Sequence, residues 1–207
     1  GLRNAIVAVE DADFWKHIGI NPWRIPGAAL ANLRSGRRGQ GFSTLTMQLT
    51  RLLFLTPEKT LERKIKEIIL AFQIEKNFTK EEIFTLYVNQ IYFGHGNYGV
   101  EAASRFFFSK SVTDLTLAEA ALVAGVPQNA PRLSPVHYPE RALARRNHVL
   151  DRMAEEKYVT REEAETAASA EDGNILVAIR PNGEIWMDRR QVDIREVRPL
   201  IERLHIE

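Results

Sequence analysis

Apolar stripes at helical spacing, several opened by a helix-start signal, follow one another from the first residues of this 207-residue chain to about Ala170. That succession leaves little room for a sheet. Thr79 with Glu82, and Thr116 with Glu119, fit the capping box, in which a hydroxyl and a carboxylate satisfy each other's first-turn N–H groups. Leu61, Ile65, Ile68, Ile69 and Phe72 fall at i, i+4, i+7, i+8 and i+11, the apolar side of an amphipathic helix. Helices are expected over Leu2–Glu10, Ile25–Leu33, Thr44–Leu55, Val100–Phe108, Leu117–Val126, Arg141–Glu156 and Thr160–Ala170. Two more are expected from about Pro57, with Thr56 as its cap, and from Thr79 to about Ile91. Pro127 and Pro131 should end the run before them, the basic Ser35–Gly41 stretch should be a loop, and the Phe106–Phe108 run should be core.

The pattern changes near Gly173. Asn174–Ile179 and Glu184–Met187 read as short strands around the turn Pro181-Asn182-Gly183, and Asp193 with Glu196 as the cap of a short helix. The expected fold class is mainly α, with a helical domain over 1–172 and a β-hairpin–helix tail over 173–207. The tail bears a weak resemblance to the periplasmic domain of ExbD/TolR-type proteins. A linker hairpin leading to a further domain is the alternative.

With 44% apolar and 27% charged residues the chain can bury a substantial core. Its net charge of +1 hides an uneven distribution. Residues 34–76 hold nine Lys/Arg against four Asp/Glu, and residues 151–173 hold three against eight. The basic segment calls for an anion. No nucleic-acid motif accompanies it, so a phosphorylated small molecule or lipid fits and nucleic acid is not expected. There is no cysteine, hence no disulfide. No apolar run approaches the roughly 20 residues of a membrane span.

Three blocks carry the candidate chemistry. Glu10-Asp11 ends an apolar segment and is followed by Phe14, Trp15 and His17, a partly apolar enclosure that suits Glu10 to general-base work. An isolated Glu-Asp pair is more often simply solvated. In Gln40-Gly41-Phe42-Ser43-Thr44, the last two residues stand where a helix begins. Free N–H groups and hydroxyls there can hold phosphate, or serve as an ordinary cap. Gln48 lies one turn further on. Arg51, Lys59, Arg63, Lys64 and Lys66 supply positive charge, and Lys59, Arg63 and Glu67 share one helical face at intervals of four. Such a face is usually a solvated set of ion pairs.

These blocks, in this order and followed by Asn89-Gln90-Ile91-Tyr92-Phe93-Gly94 and Gly99-Val100-Glu101-Ala102-Ala103, resemble the motifs of the family 51 glycosyltransferases. That family is the peptidoglycan glycosyltransferase module of class A penicillin-binding proteins and of monofunctional transglycosylases. The resemblance runs from about Leu2 to about Ala168. It departs at Phe42, where a second Gly is usual, at Met47, where Gln is frequent, and at Ser109, where Gly is common. It implies a lysozyme-like helical fold with a small jaw lobe. It also implies polymerisation of lipid II into glycan strands, with inversion at the anomeric carbon and release of undecaprenyl diphosphate. Glu10 is implied as the catalytic base and Glu67 as the second acid, which would hold the basic residues or a metal. Gln40, Ser43, Thr44, Gln48, Arg51, Lys59, Arg63 and Lys64 are implied as substrate binders. A divalent cation such as Mg²⁺ is implied as a helper, although the sequence offers no ligand cluster of its own. The implied partners are lipid II, the growing glycan chain and the periplasmic surface of the bacterial cytoplasmic membrane. Relatives carry a downstream transpeptidase domain that is not expected in this chain. The start at Gly1, almost on the first motif, suggests a chain truncated ahead of it and without the family's anchor. The alternatives are a lysozyme-like hydrolase acting on finished glycan, and an inactive fragment that only binds lipid-linked precursor.

Overall fold

The computed structural model describes residues 1–22, 43–55 and 60–169, together with the backbone of 177–179, 185–187 and 190–192. From 1 to 169 the regular elements described are helical, apart from one isolated bridge between Tyr92 and Tyr98.

One group of helices forms around α6 (Leu117–Gly125), which is buried all round. Its Ala118, Ala120, Ala121 and Ala124 are small, so neighbouring helices approach closely on every side. α1 (Leu2–Glu10) lays Ala5, Ile6, Val7 and Ala8 against it, and α8 (Pro139–Glu155) adds Ala142, Val149, Leu150 and Met153. α9 (Arg161–Ser169) covers α8, and the buried Arg146 guanidinium ties the two by donating to the Ala168 carbonyl at 2.7 Å.

The second group is α2 (Leu45–Phe54), α3 (Leu61–Asn77) and α4 (Lys80–Gln90), with α2 packed on both others. α4 opens with the expected capping box of Thr79 and Glu82, and α6 with that of Thr116 and Glu119. α5 (Val100–Phe108) links the groups through contacts with α4 and α6.

Several expectations are corrected. α3 begins at Leu61 and not near Pro57, because Thr60 is extended and its hydroxyl accepts the Arg63 N–H at 3.1 Å. The apolar stripe of α3 faces outward: Leu61, Ile65 and Ile69 are 78%, 51% and 52% exposed, while Glu67, Ala71 and Ile74 are the buried side. The α-helix ahead of Pro127 does end, at Gly125 as expected, and Pro127 and Pro131 then lie in shorter helical elements. Each sits in the first turn of a short element, a 3₁₀ turn at Val126–Asn129 and α7 at Ala130–Leu133, where a missing N–H costs nothing. Phe106 lies exposed against the His95 ring and is not core.

β1 (Val177–Ile179), β2 (Ile185–Met187) and β3 (Arg190–Val192) form an antiparallel sheet in that order, with Ala178 opposite Trp186 and Trp186 opposite Gln191. β3 was not foreseen, since Arg190-Gln191-Val192 is too short to show alternation. The helices expected over Ile25–Leu33 and from Asp193, the Ser35–Gly41 loop and the Thr56 cap lie outside the described residues.

Candidate active site

Glu10 is the last residue of α1, and Asp11 leaves the helix with φ of −157° and ψ of 76°. The fully buried Asp11 carboxylate then anchors the next element. Its Oδ2 accepts the N–H of Leu45, first residue of α2, at 3.0 Å and lies 2.8 Å from His17 Nε2. His17 Nδ1 accepts the Gly19 N–H at 3.1 Å, so Nε2 carries the proton and donates to Asp11. Gly19 has φ of 94°, and a Cβ there would come within 3.0 Å of the Ala71 carbonyl, so only glycine fits this crossing of α3. The Thr44 hydroxyl donates to the Gly19 carbonyl at 2.6 Å and accepts the Met47 N–H at 3.1 Å. Asp11 and Thr44 together fix the N-terminus of α2 directly beside Glu10.

One turn along, the Gln48 amide donates from Nε2 to Glu10 Oε2 at 2.9 Å, and its Oε1 accepts from the Tyr87 hydroxyl at 3.2 Å. Arg51 follows at i+3 on the same face of α2. Its charge reaches both Tyr87 and Lys64. One side of one helix thus runs from the carboxylate to the basic cluster.

Glu67 organises that cluster. Its side chain is fully buried and accepts from the Arg63 guanidinium one turn earlier and from Lys64 Nζ at 2.9 Å. A buried carboxylate is tolerable when two cations satisfy it. Lys64 Nζ also donates to Ser43 Oγ at 2.6 Å, tying α3 to the start of α2. Burial first, then the charges of Arg51 and Arg63, push the Lys64 ammonium down to about 8.

Two further groups buttress the site. Glu75 Oε1 accepts from Thr46 Oγ1 at 2.5 Å and from Lys80 Nζ at 2.6 Å, and Lys80 stands over the Phe14 ring at 4.6 Å, so α2, α3, α4 and the Asp11–Gly19 segment meet there. Arg145 packs closely on Gly125, where a Cβ would be 2.8 Å from its Cγ. Burial pushes its guanidinium below the usual range and the charge of Glu10 opposes that shift.

Of the expected site residues, Glu10 and Gln48 are brought together, as are Ser43, Arg51, Arg63, Lys64 and Glu67. Thr44 is buried and its hydroxyl is engaged as a cap. Gln40 and Lys59 lie outside the described residues. Tyr87 and Arg145 were not singled out from sequence. Tyr87 continues the apolar face of Ile83 and Phe84, so its phenol is hidden among core residues, while Arg145 looks like any helix-surface cation. A divalent cation does not fit at Glu67, where both oxygens already face cations. Among the described residues no group of three or more His, Cys, Asp or Glu could hold a metal.

The family model described as Transglycosylase matches residues 1–154. Penicillin-binding protein 1A of Aquifex aeolicus is 55% identical over 166 residues, covering 80% of this chain and 23% of the relative. The proteins of the same name from Vibrio cholerae and Escherichia coli are each 48% identical, over 80% and 78% of this chain and 20% and 19% of their own. The chain therefore spans about a fifth of the length of the relatives it matches. A crystal structure of penicillin-binding protein 1A from Haemophilus influenzae aligns over 77% of this chain and 19% of that chain, at 26% identity and a TM-score of 0.43. With the family model covering most of the chain, and the first, second and basic blocks of its sequence meeting around α2, the chain belongs to the transglycosylase family, the family 51 glycosyltransferases.

Proposed function

We propose that the chain is a peptidoglycan glycosyltransferase that joins lipid-linked disaccharide-peptides at the outer face of the bacterial cytoplasmic membrane. The observation that carries this reading is the single face of α2 that holds Gln48 against Glu10 and Arg51 beside the Lys64–Glu67 cluster. A base and an anion site side by side suit a glycosyl transfer whose leaving group is a diphosphate.

In that reaction the 4-hydroxyl of the acceptor N-acetylglucosamine attacks the anomeric carbon of the donor N-acetylmuramic acid. Glu10 takes the hydroxyl proton as the new C–O bond forms, and the bond to the diphosphate breaks with its electron pair going to the departing oxygen. Attack opposite the leaving group inverts the anomeric centre from α to β. Arg51, Arg63 and Lys64 offset the charge that builds on the diphosphate. Glu67 keeps Arg63 and Lys64 in place and out of bulk water. A glycan hydrolase has no charged leaving group to meet, so the cluster favours transfer over hydrolysis.

The outward apolar side of α3 supports a place on the membrane. Leu61, Ile65, Ile69 and Phe72 are exposed, as are Leu52, Leu53 and Phe54 at the end of α2. No helix among the described residues is long and apolar enough to cross a bilayer, so this face would rest on the surface where lipid-anchored substrate lies.

The test is Glu10→Gln, assayed by polymerisation of labelled lipid II in detergent micelles. Loss of general-base help should cost roughly 10²–10⁴-fold in rate while the helical circular dichroism stays unchanged. Polymerisation near the wild-type rate would remove Glu10 from the mechanism.

A further inference from the structure

We infer that Tyr87 is a positioning residue for the transfer reaction, acting on Glu10 through the Gln48 amide. This rests on Glu10 being the base. A carboxamide has a donor end and an acceptor end, and either can be turned toward a neighbour. The Gln48 side chain touches two partners: Glu10 Oε2 at 2.9 Å and the Tyr87 hydroxyl at 3.2 Å. Turned one way, the NH₂ donates to the carboxylate and the phenol donates to the carbonyl oxygen. Turned the other way, two acceptor oxygens face each other across Gln48 and Glu10. Only the first orientation satisfies both ends: a carboxylate can only accept, which turns the NH₂ toward it, and the phenol then pins the carbonyl end by donating to it.

Tyr87 is built to be that donor. Its ring is fully buried on α4 beside Ile83 and Phe84, so the hydroxyl has a fixed position. Burial and the charge of Glu10 both push the phenol well above its usual range, so it keeps its proton at any working pH. The chain of contacts begins in the core and ends at the carboxylate. Glu10 therefore presents a defined direction to an incoming hydroxyl, and the geometry of a general base decides its efficiency before any other property does.

Gln48 itself is set by α2, whose N-terminus Asp11 and Thr44 hold. Tyr87 adds what the helix cannot, namely a fixed anchor for the far end of the amide that meets Glu10. Removing its hydroxyl should leave substrate binding alone and lower turnover.

The experiment compares Tyr87→Phe, Gln48→Ala and the double variant of this chain on labelled lipid II in detergent micelles. Tyr87→Phe keeps the ring and should lower kcat about tenfold with KM unchanged, the size of one ordinary hydrogen bond. Gln48→Ala should lower kcat at least as much, and the double variant no further, because Tyr87 acts only through Gln48. Wild-type kcat in Tyr87→Phe, an effect confined to KM, or losses that multiply in the double variant would each overturn the inference. Glu10→Gln at the wild-type rate would instead overturn the base assignment beneath it, whatever Tyr87→Phe does.

Discussion

Lys64 stands with its Nζ between Ser43 Oγ and a fully buried carboxylate, while Arg51 and Arg63 crowd it with like charge. Burial and those neighbours bring its ammonium down to about 8, so it is charged below that pH and neutral above. A diphosphate site should therefore lose one positive charge between pH 7 and pH 9. The KM for lipid II should rise several-fold across that interval, and Lys64→Arg, which stays charged, should flatten the rise. A KM independent of pH in the wild type would mean that Lys64 does not face the diphosphate. Folding stability has the opposite sign. The unfolded chain binds the proton up to the ordinary value of about 10.4, so stability should increase with pH from about 8 toward 10. These side chains were legible in the sequence because charge at i, i+3 and i+4 on a helix can be read directly. Tyr87 and Arg145 were not, since a phenol within an apolar stripe and an arginine on a helix surface are each ordinary until the fold brings Glu10 beside them.

At the scale of the element, α3 shows what periodicity can and cannot say. Its apolar residues lie on one side, as the spacing predicts, but that side is the exposed one. The buried side is held by Glu67 with Arg63 and Lys64, and by Ala71 and Ile74 against α2. A hydrophobic stripe fixes a helix's orientation relative to an apolar medium, and that medium need not be the protein's own core. The start of α3 has a local reason: Thr60 is extended and its hydroxyl meets the N–H three residues on, which makes it the cap. If the stripe rests on lipid, Ile65→Ser together with Ile69→Ser should reduce binding to vesicles of anionic phospholipid roughly tenfold or more, from lost apolar contact. The melting temperature should not fall, because neither side chain is buried in the protein. Unfolding of this double variant, or unchanged vesicle binding, would show that the stripe serves another purpose.

For the whole molecule, the expected helical character and most helix positions were legible because several helices carry their own capping signal and most an apolar face. The tail was legible only in part. β1 and β2 follow from alternation around Pro181-Asn182-Gly183, while β3 depends on pairing with β2 and leaves no trace in three residues. The placing of a boundary near Gly173 is a proposal that deletion can test. Among the described residues the core of α1, α6, α8 and α9 ends with Ala164 and Ala167, α9 packing on α8. The three strands pair only with one another among the described residues, and their ladder is three residues long on each strand. Strands so short contribute little stability of their own. Removing residues 173–207 should therefore shift the melting temperature by no more than about 2–4 °C, the equivalent of roughly 1 kcal/mol in a domain of this size. Affinity for undecaprenyl diphosphate should be unchanged, because Glu67 holds both Arg63 and Lys64 and Ser43 meets Lys64, all of them well before the tail. Thermal melts and ligand titration of the shortened chain measure both. A large drop in melting temperature would mean that the strands complete the helical core and that the two regions form one folding unit.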